Sequence, residues 1–369
     1  MKKIRLDVTD TSYDVVIAHQ EEAAVFQEYA ALFEQYDQIA CIVDETVYAL
    51  YEETLLQTIQ QQLPQVVMIR VPKGEACKTA AVYVDVQGQL LTHGFTRQSL
   101  LLAVGGGAVG DLTGFIAATY MRGIDFIQLP TTILAHDSAV GGKTAINMPQ
   151  GKNMIGAFHQ PRLVYFNLAL FDTLPIREVR SGMAELIKHA FISNEEWTKE
   201  LMERRDFLAM PPEEFADQLL RGIQVKAAIV EEDTFEQGSR KFLNFGHTFG
   251  HAVEAHTAFG QYSHGECVVM GMGYALMMSE MNSGLEPGWA KRFVQFATQQ
   301  GYSFAPVLET SFSIFYDYMK KDKKATFGAL QFVSLTQIGQ PVVMKVTKEQ
   351  CTEVFHAFQQ LIKEVNGID

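Results

Sequence analysis

The chain has 369 residues, 47% of them hydrophobic and 20% charged, with a formal net charge of -13. That length exceeds what one core usually serves, so two ordinary globular domains are expected. The acidic balance argues against nucleic acid or an anionic membrane as partner, but leaves room for a locally basic cleft that takes a small anion. Cys41, Cys77, Cys267 and Cys351 lie far apart without CxxC spacing, which points away from a zinc knuckle or a disulfide framework. No apolar run is long enough for a signal or a membrane span, so a cytoplasmic protein is expected.

Residues 3 to 17 alternate apolar and polar around Asp10-Thr11-Ser12 and read as a β-hairpin. A helical stretch follows to Tyr36, then a short apolar strand, Gln38 to Asp44, that ends in an acid. Helix-like Thr46 to Leu63, strand-like Val66 to Val71, helical Lys78 to His93 and a third apolar strand, Ser99 to Val104, come next. Strands alternating with helices of this length predict a parallel sheet in an α/β domain.

The third strand runs into Gly105-Gly-Gly-Ala-Val-Gly110, a G-x-G-x-x-G pattern between a strand and a helix, where backbone N–H groups can meet a pyrophosphate. It departs from the Rossmann fingerprint, because it lies on a late strand and no acid ends a strand ~20 residues further on. Asp44 is the better candidate for the ribose. The alternative is a glycine turn needed only for close helix–sheet packing. Next, Phe126 to Thr132 reads as a strand ending in two hydroxyls, and Lys143 and Lys152 are expected in glycine-flanked loops that suit a phosphate or carboxylate. Gly141-Gly-Lys-Thr144 resembles the tail of a Walker A loop, but the required earlier glycine is missing, so a P-loop is excluded.

From Leu174-Pro175 onward the pattern changes to long helices until Leu330, and the domains are expected at 1–170 and 171–369. Within the second, Arg240 to His251 is the richest stretch. On one helix, Arg240, Asn244, His247 and His251 would fall at i, i+4, i+7 and i+11 and share a face. The apolar positions between them would be buried, leaving chemistry on the polar face. His247 and His251 at i, i+4 could present imidazoles to a divalent metal, with His264 or Glu185 nearest in the sequence to supply a further ligand. The Met-rich run 270–281 reads as packed core, the lysine run 319–324 as a solvated face, and 329–346 as two strands before a closing amphipathic helix.

Several long motifs in one order, GGGAVGDLTGF (105–115), YMRGI (120–124), QLPTTILAHDSAVGGKTAIN (128–147), QGKNMIGAF (150–158), SGMAELIKHA (181–190), RKFLNFGHTFGHAVE (240–254) and SHGE (263–266), resemble those of the 3-dehydroquinate synthase family of sugar-phosphate cyclases. The resemblance spans nearly the whole chain. It implies an α/β Rossmann-like domain that binds NAD and a mainly helical domain that holds Zn²⁺, with Co²⁺ as an alternative ion, through Glu185, His247 and His264. His251 is thereby moved to a supporting or substrate-contacting role. The implied substrate is 3-deoxy-D-arabino-heptulosonate 7-phosphate, with Lys226 and Arg240 on its carboxylate. Lys143, Asn153, Asn244 and His251, with Lys323 or Lys324, would hold its phosphate and neighbouring hydroxyls. Asp137 and Lys188 would orient the reacting hydroxyl, and Arg122 would reach in from the second subunit of a homodimer. Asp44, Glu75, Lys78, Gly106, Gly107, Asp111, Thr131, Thr132, Lys143, Lys152, Thr173 and Glu178 match the cofactor contacts. Met148 stands where the family often has a His, and no assigned contact depends on it.

Two other readings share this plan. A sister cyclase would act on a sugar phosphate without a carboxylate, which makes Lys226 and Arg240 the discriminating pair. A metal-dependent polyol dehydrogenase of the glycerol dehydrogenase type would release NADH stoichiometrically.

Overall fold

The computed structural model describes residues 1–8, 11–257, 260–322 and 330–367. Lys323 and Lys324 lie outside them. The described chain divides into two compact units, one of Met1–Leu174 with Pro212–Phe235, the other of Pro175–Pro211 with Glu236–Asp369. The segment 212–235, which chain order alone grouped with 171–369, clusters with the first unit. Its helix, Pro212–Glu232, packs on the first strand of the chain, and Glu231 accepts the Asp7 backbone N–H at 2.9 Å.

The first unit is built on a seven-stranded sheet. The alternating N-terminal segment gives the antiparallel hairpin β1 (Lys2–Val8) and β2 (Thr11–Ala18). The short apolar runs give β3 (Ile39–Asp44), β4 (Val67–Val71), β5 (Leu100–Gly105) and β6 (Asp125–Pro130). A second hairpin, β7 (Lys143–Met148) and β8 (Gly151–Phe158), stands apart from the sheet, and β9 (Leu163–Asn167) returns to it. The order is β1-β2-β9-β6-β5-β3-β4, parallel except for the first pair. Every residue of β3 and β5 is buried, as expected of strands covered on both faces. The chain passes from β3 to β4 on one side and then back to β5 on the other, so the order reverses between β3 and β5. In open α/β sheets, ligands bind beyond the carboxyl ends of the strands at such a switch point.

Lys143 and Lys152 are therefore on paired strands, β7 and β8, and not in loops as their glycine neighbours suggested. Gly156 explains part of the difference, since a Cβ there would meet the Thr144 carbonyl oxygen at 2.2 Å, a close strand approach that only glycine permits.

Among its described residues, the second unit is helical apart from the hairpin β10 (Leu330–Gln337) and β11 (Gln340–Val346). Its centre is the helix His264–Asn282, packed against Ile176–Ser193, His247–His256, Trp289–Gln299 and Lys348–Asn366. The Met-rich segment is core at Met270, Met272 and Met278, which are fully buried, but not at its end, where Met281 is 45% exposed. All four cysteines are free and buried.

The sheet edge carries a charged cluster. Asp14 on β2 lies 2.8 Å from Lys3 and 3.5 Å from Arg5 on β1, and accepts the Tyr29 hydroxyl at 2.8 Å. Burial works to raise the Asp14 pKa, but the Lys3 and Tyr29 contacts outweigh it and hold it below the ordinary carboxylate value. A lowered folded-state pKa stabilises above the unfolded value and ceases to do so as pH falls through the folded one. Asp14→Asn should cost about 1 kcal/mol at neutral pH. Urea unfolding should show the gap to the wild type closing below about pH 4.

Candidate functional site

In the first unit, the glycine turn sits at the switch point. Val43 of β3 is in register with Val104 of β5, so Asp44 and Gly105 end neighbouring strands side by side. Gly106 caps the helix Gly107–Thr119, whose first N–H groups have no partner within the helix and favour negative charge. Close packing also requires these glycines. A Cβ on Gly105 would meet Val109 at 2.7 Å, and one on Gly107 would meet the Ser138 hydroxyl at 2.5 Å. On Gly110 it would meet the Gln128 side chain, also at 2.5 Å. The two readings of the motif are compatible, because a Cβ on Gly106 would come nearest to the Thr132 side chain, at 3.1 Å, and not to backbone.

Asp44 is committed on both oxygens. Oδ1 accepts from the Thr46 and Val47 N–H groups at the start of the helix Glu45–Tyr51, and Oδ2 accepts from Gly74 N–H at 2.9 Å. A carboxylate has further lone pairs, so a ribose hydroxyl can still donate to it. Thr131 is buried, its N–H bonded to the Gly105 carbonyl, while the Thr173 hydroxyl meets the Tyr51 hydroxyl.

Beside the turn runs a polar chain that joins four expected site residues. Lys78, 2% exposed, donates to Asp111 at 2.6 Å and to Asn153 at 2.5 Å. Asn153 N–H donates to Asn147, and Asn147 donates to Glu75 at 2.7 Å. Asn153 holds φ +56, a left-handed conformation that asparagine tolerates better than most residues. Burial raises the Asp111 pKa despite the Lys78 ammonium beside it. Asn147 was not singled out from sequence; its place in the AIN segment between the two lysines was the available signal. Lys226, on the helix Pro212–Glu232, pairs with the Asp137 carboxylate at 3.1 Å and also donates to the Asp137 carbonyl oxygen. Arg122 is exposed on a turn where it and Met121 both have positive φ.

In the second unit, Arg240 to His251 is not one helix. Ser239–Asn244 forms a 3-10 turn, Gly246 adopts φ +81, and the helix begins at His247. Arg240 and Asn244 therefore do not continue the face of His247 and His251. Arg240 is 1% exposed, and Asn244 donates to Glu236 at 3.1 Å.

The break serves the histidines. Glu185 on Ile176–Ser193, His247 on His247–His256 and His264 at the start of His264–Asn282 present ligand atoms that all lie within 4.8 Å of one another. Nε2 of His247 is 3.6 Å from Glu185 Oε1, and Nε2 of His264 is 3.5 Å from it. The opposite nitrogens are held elsewhere. His247 Nδ1 is 3.2 Å from the Phe245 carbonyl oxygen, and His264 Nδ1 is 3.2 Å from Glu254 Oε2. Such anchoring fixes which nitrogen faces a metal. Two imidazoles and one carboxylate, with a position left for water or substrate, suit a catalytic Zn²⁺. His251 forms a second group with Glu254 and His264, its ring 5.3 Å from that of His247. Glu254 was missed as a functional residue, although three positions after His251 on a helix it falls on the same side.

The electrostatics separate the two imidazoles. Burial and the Lys188 ammonium push the His247 pKa down to about 3, so its ring is neutral. Burial also works to lower His264, but Glu185 and Glu254 outweigh it and lift its pKa to about 10. The negative charge that draws a proton to His264 is what a divalent cation would neutralise instead. Lys188, 1% exposed, pairs with Glu185 one turn away, and burial raises the Glu178 carboxyl near the start of the same helix.

Glycines allow the three helices to come this close. A Cβ on Gly271 would meet the Gly246 carbonyl oxygen at 1.8 Å, and one on Gly265 would meet the Ser181 carbonyl oxygen at 2.1 Å. On Gly250 it would meet the Cys267 carbonyl oxygen at 2.8 Å.

A mostly parallel sheet with a glycine turn at its switch point, together with a helical unit bearing a Glu-His-His cluster, defines a class of two-unit enzymes. A solved 2-deoxy-scyllo-inosose synthase, complexed with carbaglucose-6-phosphate, NAD⁺ and Co²⁺, shares this fold with a TM-score of 0.87 at 25% identity, covering 96% of this chain and 99% of its own. The 3-dehydroquinate synthase N-terminal family model matches residues 68–181 and the C-terminal one residues 182–325. The 3-dehydroquinate synthase of Lysinibacillus sphaericus is 53% identical over 80% of this chain and 81% of its own length, and that of Bacillus pumilus 41% identical over 95% and 96%. The chain belongs to the 3-dehydroquinate synthase family, a family of lyases.

Two measurements probe this cluster. Glu254→Gln should lower zinc affinity about 10–100-fold through loss of the His264 anchor. Gly271→Ala should destabilise the protein by roughly 2 kcal/mol or more and reduce bound zinc, because the added methyl falls on backbone. Gly88→Ala, at a helical position with nothing within 4 Å of the added Cβ, is the control and should stabilise by about 0.5–1 kcal/mol. Urea unfolding and metal analysis read these outcomes.

Proposed function

We propose that the chain converts 3-deoxy-D-arabino-heptulosonate 7-phosphate to 3-dehydroquinate and inorganic phosphate, through transient oxidation, β-elimination, re-reduction and intramolecular aldol closure. The observation that carries this reading is the family match over 68–325, a stretch that includes the Glu185, His247 and His264 cluster. When bound, NAD would supply a hydride acceptor that is restored within one turnover, and Zn²⁺ or Co²⁺ a Lewis acid for the substrate hydroxyls.

The cofactor falls to the first unit. The N-terminus of Gly107–Thr119, with Gly106 and Gly107, would take the pyrophosphate, and Asp44 the ribose. Glu75, Lys78, Asp111, Thr131, Thr132, Lys143, Lys152, Thr173 and Glu178 would complete the contacts. The chain from Lys78 to Glu75 supports this role by fixing five polar side chains before any ligand arrives, which reduces the ordering cost of binding. The metal falls to Glu185, His247 and His264.

For the substrate, Lys226 and Arg240 would hold the carboxylate. Lys143, Asn153, Asn244 and His251 would hold the phosphate and its neighbouring hydroxyls. Asp137 and Lys188 would orient the reacting hydroxyl. The Lys226–Asp137 pair supports this division of labour, because it holds the ammonium in a fixed place while the carboxylate retains acceptor capacity. Arg122 would serve the neighbouring subunit of a homodimer, and its exposure on a turn fits that use. Holding one conformer by many charged contacts is a large part of the catalysis, since positioning can supply ~7–11 kcal/mol of a barrier. A cytoplasmic location is part of this proposal.

The purified protein with the heptulosonate phosphate, NAD⁺ and Zn²⁺ should release inorganic phosphate without net NADH. Stoichiometric NADH would instead identify a polyol dehydrogenase. Lys143→Ala should raise KM for the heptulosonate phosphate roughly tenfold, the loss of one charge-assisted hydrogen bond, and leave zinc content unchanged. Glu185→Ala should lose zinc and turnover together.

A further inference from the structure

The helix Ile176–Ser193 carries more than the carboxylate of the metal cluster. Arg177, Ser181 and Glu185 fall at i, i+4 and i+8, so they share one face at steps of about 6 Å along the axis. Each meets the start of the helix His264–Asn282 at a different residue. Glu185 Oε1 lies 3.5 Å from His264 Nε2, and the Ser181 hydroxyl accepts the Gly265 N–H at 3.1 Å. Arg177 Nε donates to Glu266 Oε2 at 3.1 Å. Three successive residues, 264 to 266, are thereby matched with three turns of one helix face.

Arg177 also reaches the chain that leads into that helix. Its Nη2 donates to the carbonyl oxygens of Gly260 at 3.0 Å and Gln261 at 2.6 Å. Between these contacts stands Ser263, whose N–H donates to Glu266 Oε2 at 2.6 Å while its hydroxyl accepts the Glu266 N–H at 3.3 Å, a capping box. The box alone satisfies the end of the helix, so capping does not call for the guanidinium. What the guanidinium adds is attachment of the segment, on both sides of His264, to the helix that bears Glu185. Arginine suits the task, because its planar fork offers donors in two directions at once. The Glu266 side chain is only 15% exposed, so without Arg177 a poorly solvated carboxylate and two loop carbonyls would have to find other partners.

We propose that Arg177 is a positioning residue for the metal: by tying residues 260–266 to the helix face that carries Glu185, it sets the place of the His264 imidazole relative to that carboxylate. The claim rests on the reading of Glu185, His247 and His264 as the metal site.

Zinc affinity of the full-length protein, measured by competition with a chromophoric chelator, tests the claim without reference to turnover. Arg177→Ala should weaken zinc binding at least about tenfold, the lower end of what losing a partner that orients a ligand costs. Arg180→Ala is the control. Arg180, on the same helix, donates to the Gln300 carbonyl oxygen at 3.0 Å and holds a different part of the unit. Its loss should change zinc affinity by less than about twofold, as expected of an independent site. Arg177→Ala combined with Glu266→Ala should lose less than the product of the two single losses, because both release one contact. Urea unfolding of the metal-free variants shows that they fold. An Arg177→Ala affinity within about twofold of the wild type, an equal loss in Arg180→Ala, or losses that multiply in the double variant would overturn the proposal. Should Arg177→Ala not fold, Arg177→Lys decides: a single ammonium cannot reproduce the fork, so affinity should fall at least about threefold, and an unchanged value overturns the claim. A wild-type protein that binds no zinc would overturn the metal assignment itself, and this claim with it.

Discussion

Backbone contact at glycine is the constraint on which the helical unit depends. Glu185, His247 and His264 come from three different helices, and their ligand atoms converge only because those helices approach until a carbonyl oxygen touches a bare Cα. Gly246, Gly250, Gly265 and Gly271 are therefore as much part of the cluster as the side chains that carry its chemistry. The left-handed Gly246 adds a second service by ending the 3-10 turn and starting a new helix at His247. An L-residue there would meet both the strain of positive φ and the Met272 backbone nitrogen at 2.9 Å.

The same logic operates with other chemistry in the first unit. There the close approaches place the start of a helix against the ends of two strands, and the buried Lys78 links a helix residue, Asp111, to a hairpin residue, Asn153. Each unit thus fixes its polar groups with partners of its own. Asp44 is used by the backbone, Lys226 by Asp137, and His264 by Glu254. Preorganisation of this kind leaves little side-chain reorganisation to accompany binding.

Much of this was legible in the chain. Most strands of the main sheet were readable as short alternating or apolar runs, β3, β5 and β6 ending in Asp, Gly and Pro, although β9 was not singled out, and the glycine turn was readable from its place between a strand and a helix. Four further features were not. Arg240 to His251 has good helical spacing, and the period hid the break at Gly246, whose cause is a neighbouring helix and not the local sequence. Lys143 and Lys152 sit among glycines that suggest loops, yet Gly156 is there to let two strands meet. From spacing, His247 and His251 made the natural ligand pair; only the resemblance put Glu185 and His264 together with His247, since no local rule encodes the crossing of three helices. Glu254 lay in plain view in the quoted motif, but anchoring a ligand leaves no pattern of its own.

The return of Pro212–Phe235 to the first unit has a consequence for biosynthesis. As the polypeptide leaves the ribosome, the sheet-bearing unit is missing its last helix while the intervening segment, Pro175–Pro211, is already emerging, so the first strand must wait with one flank uncovered. Neither unit is a contiguous gene fragment. An ancestor assembled by simple end-to-end fusion of two self-sufficient modules would not have this interleaved arrangement.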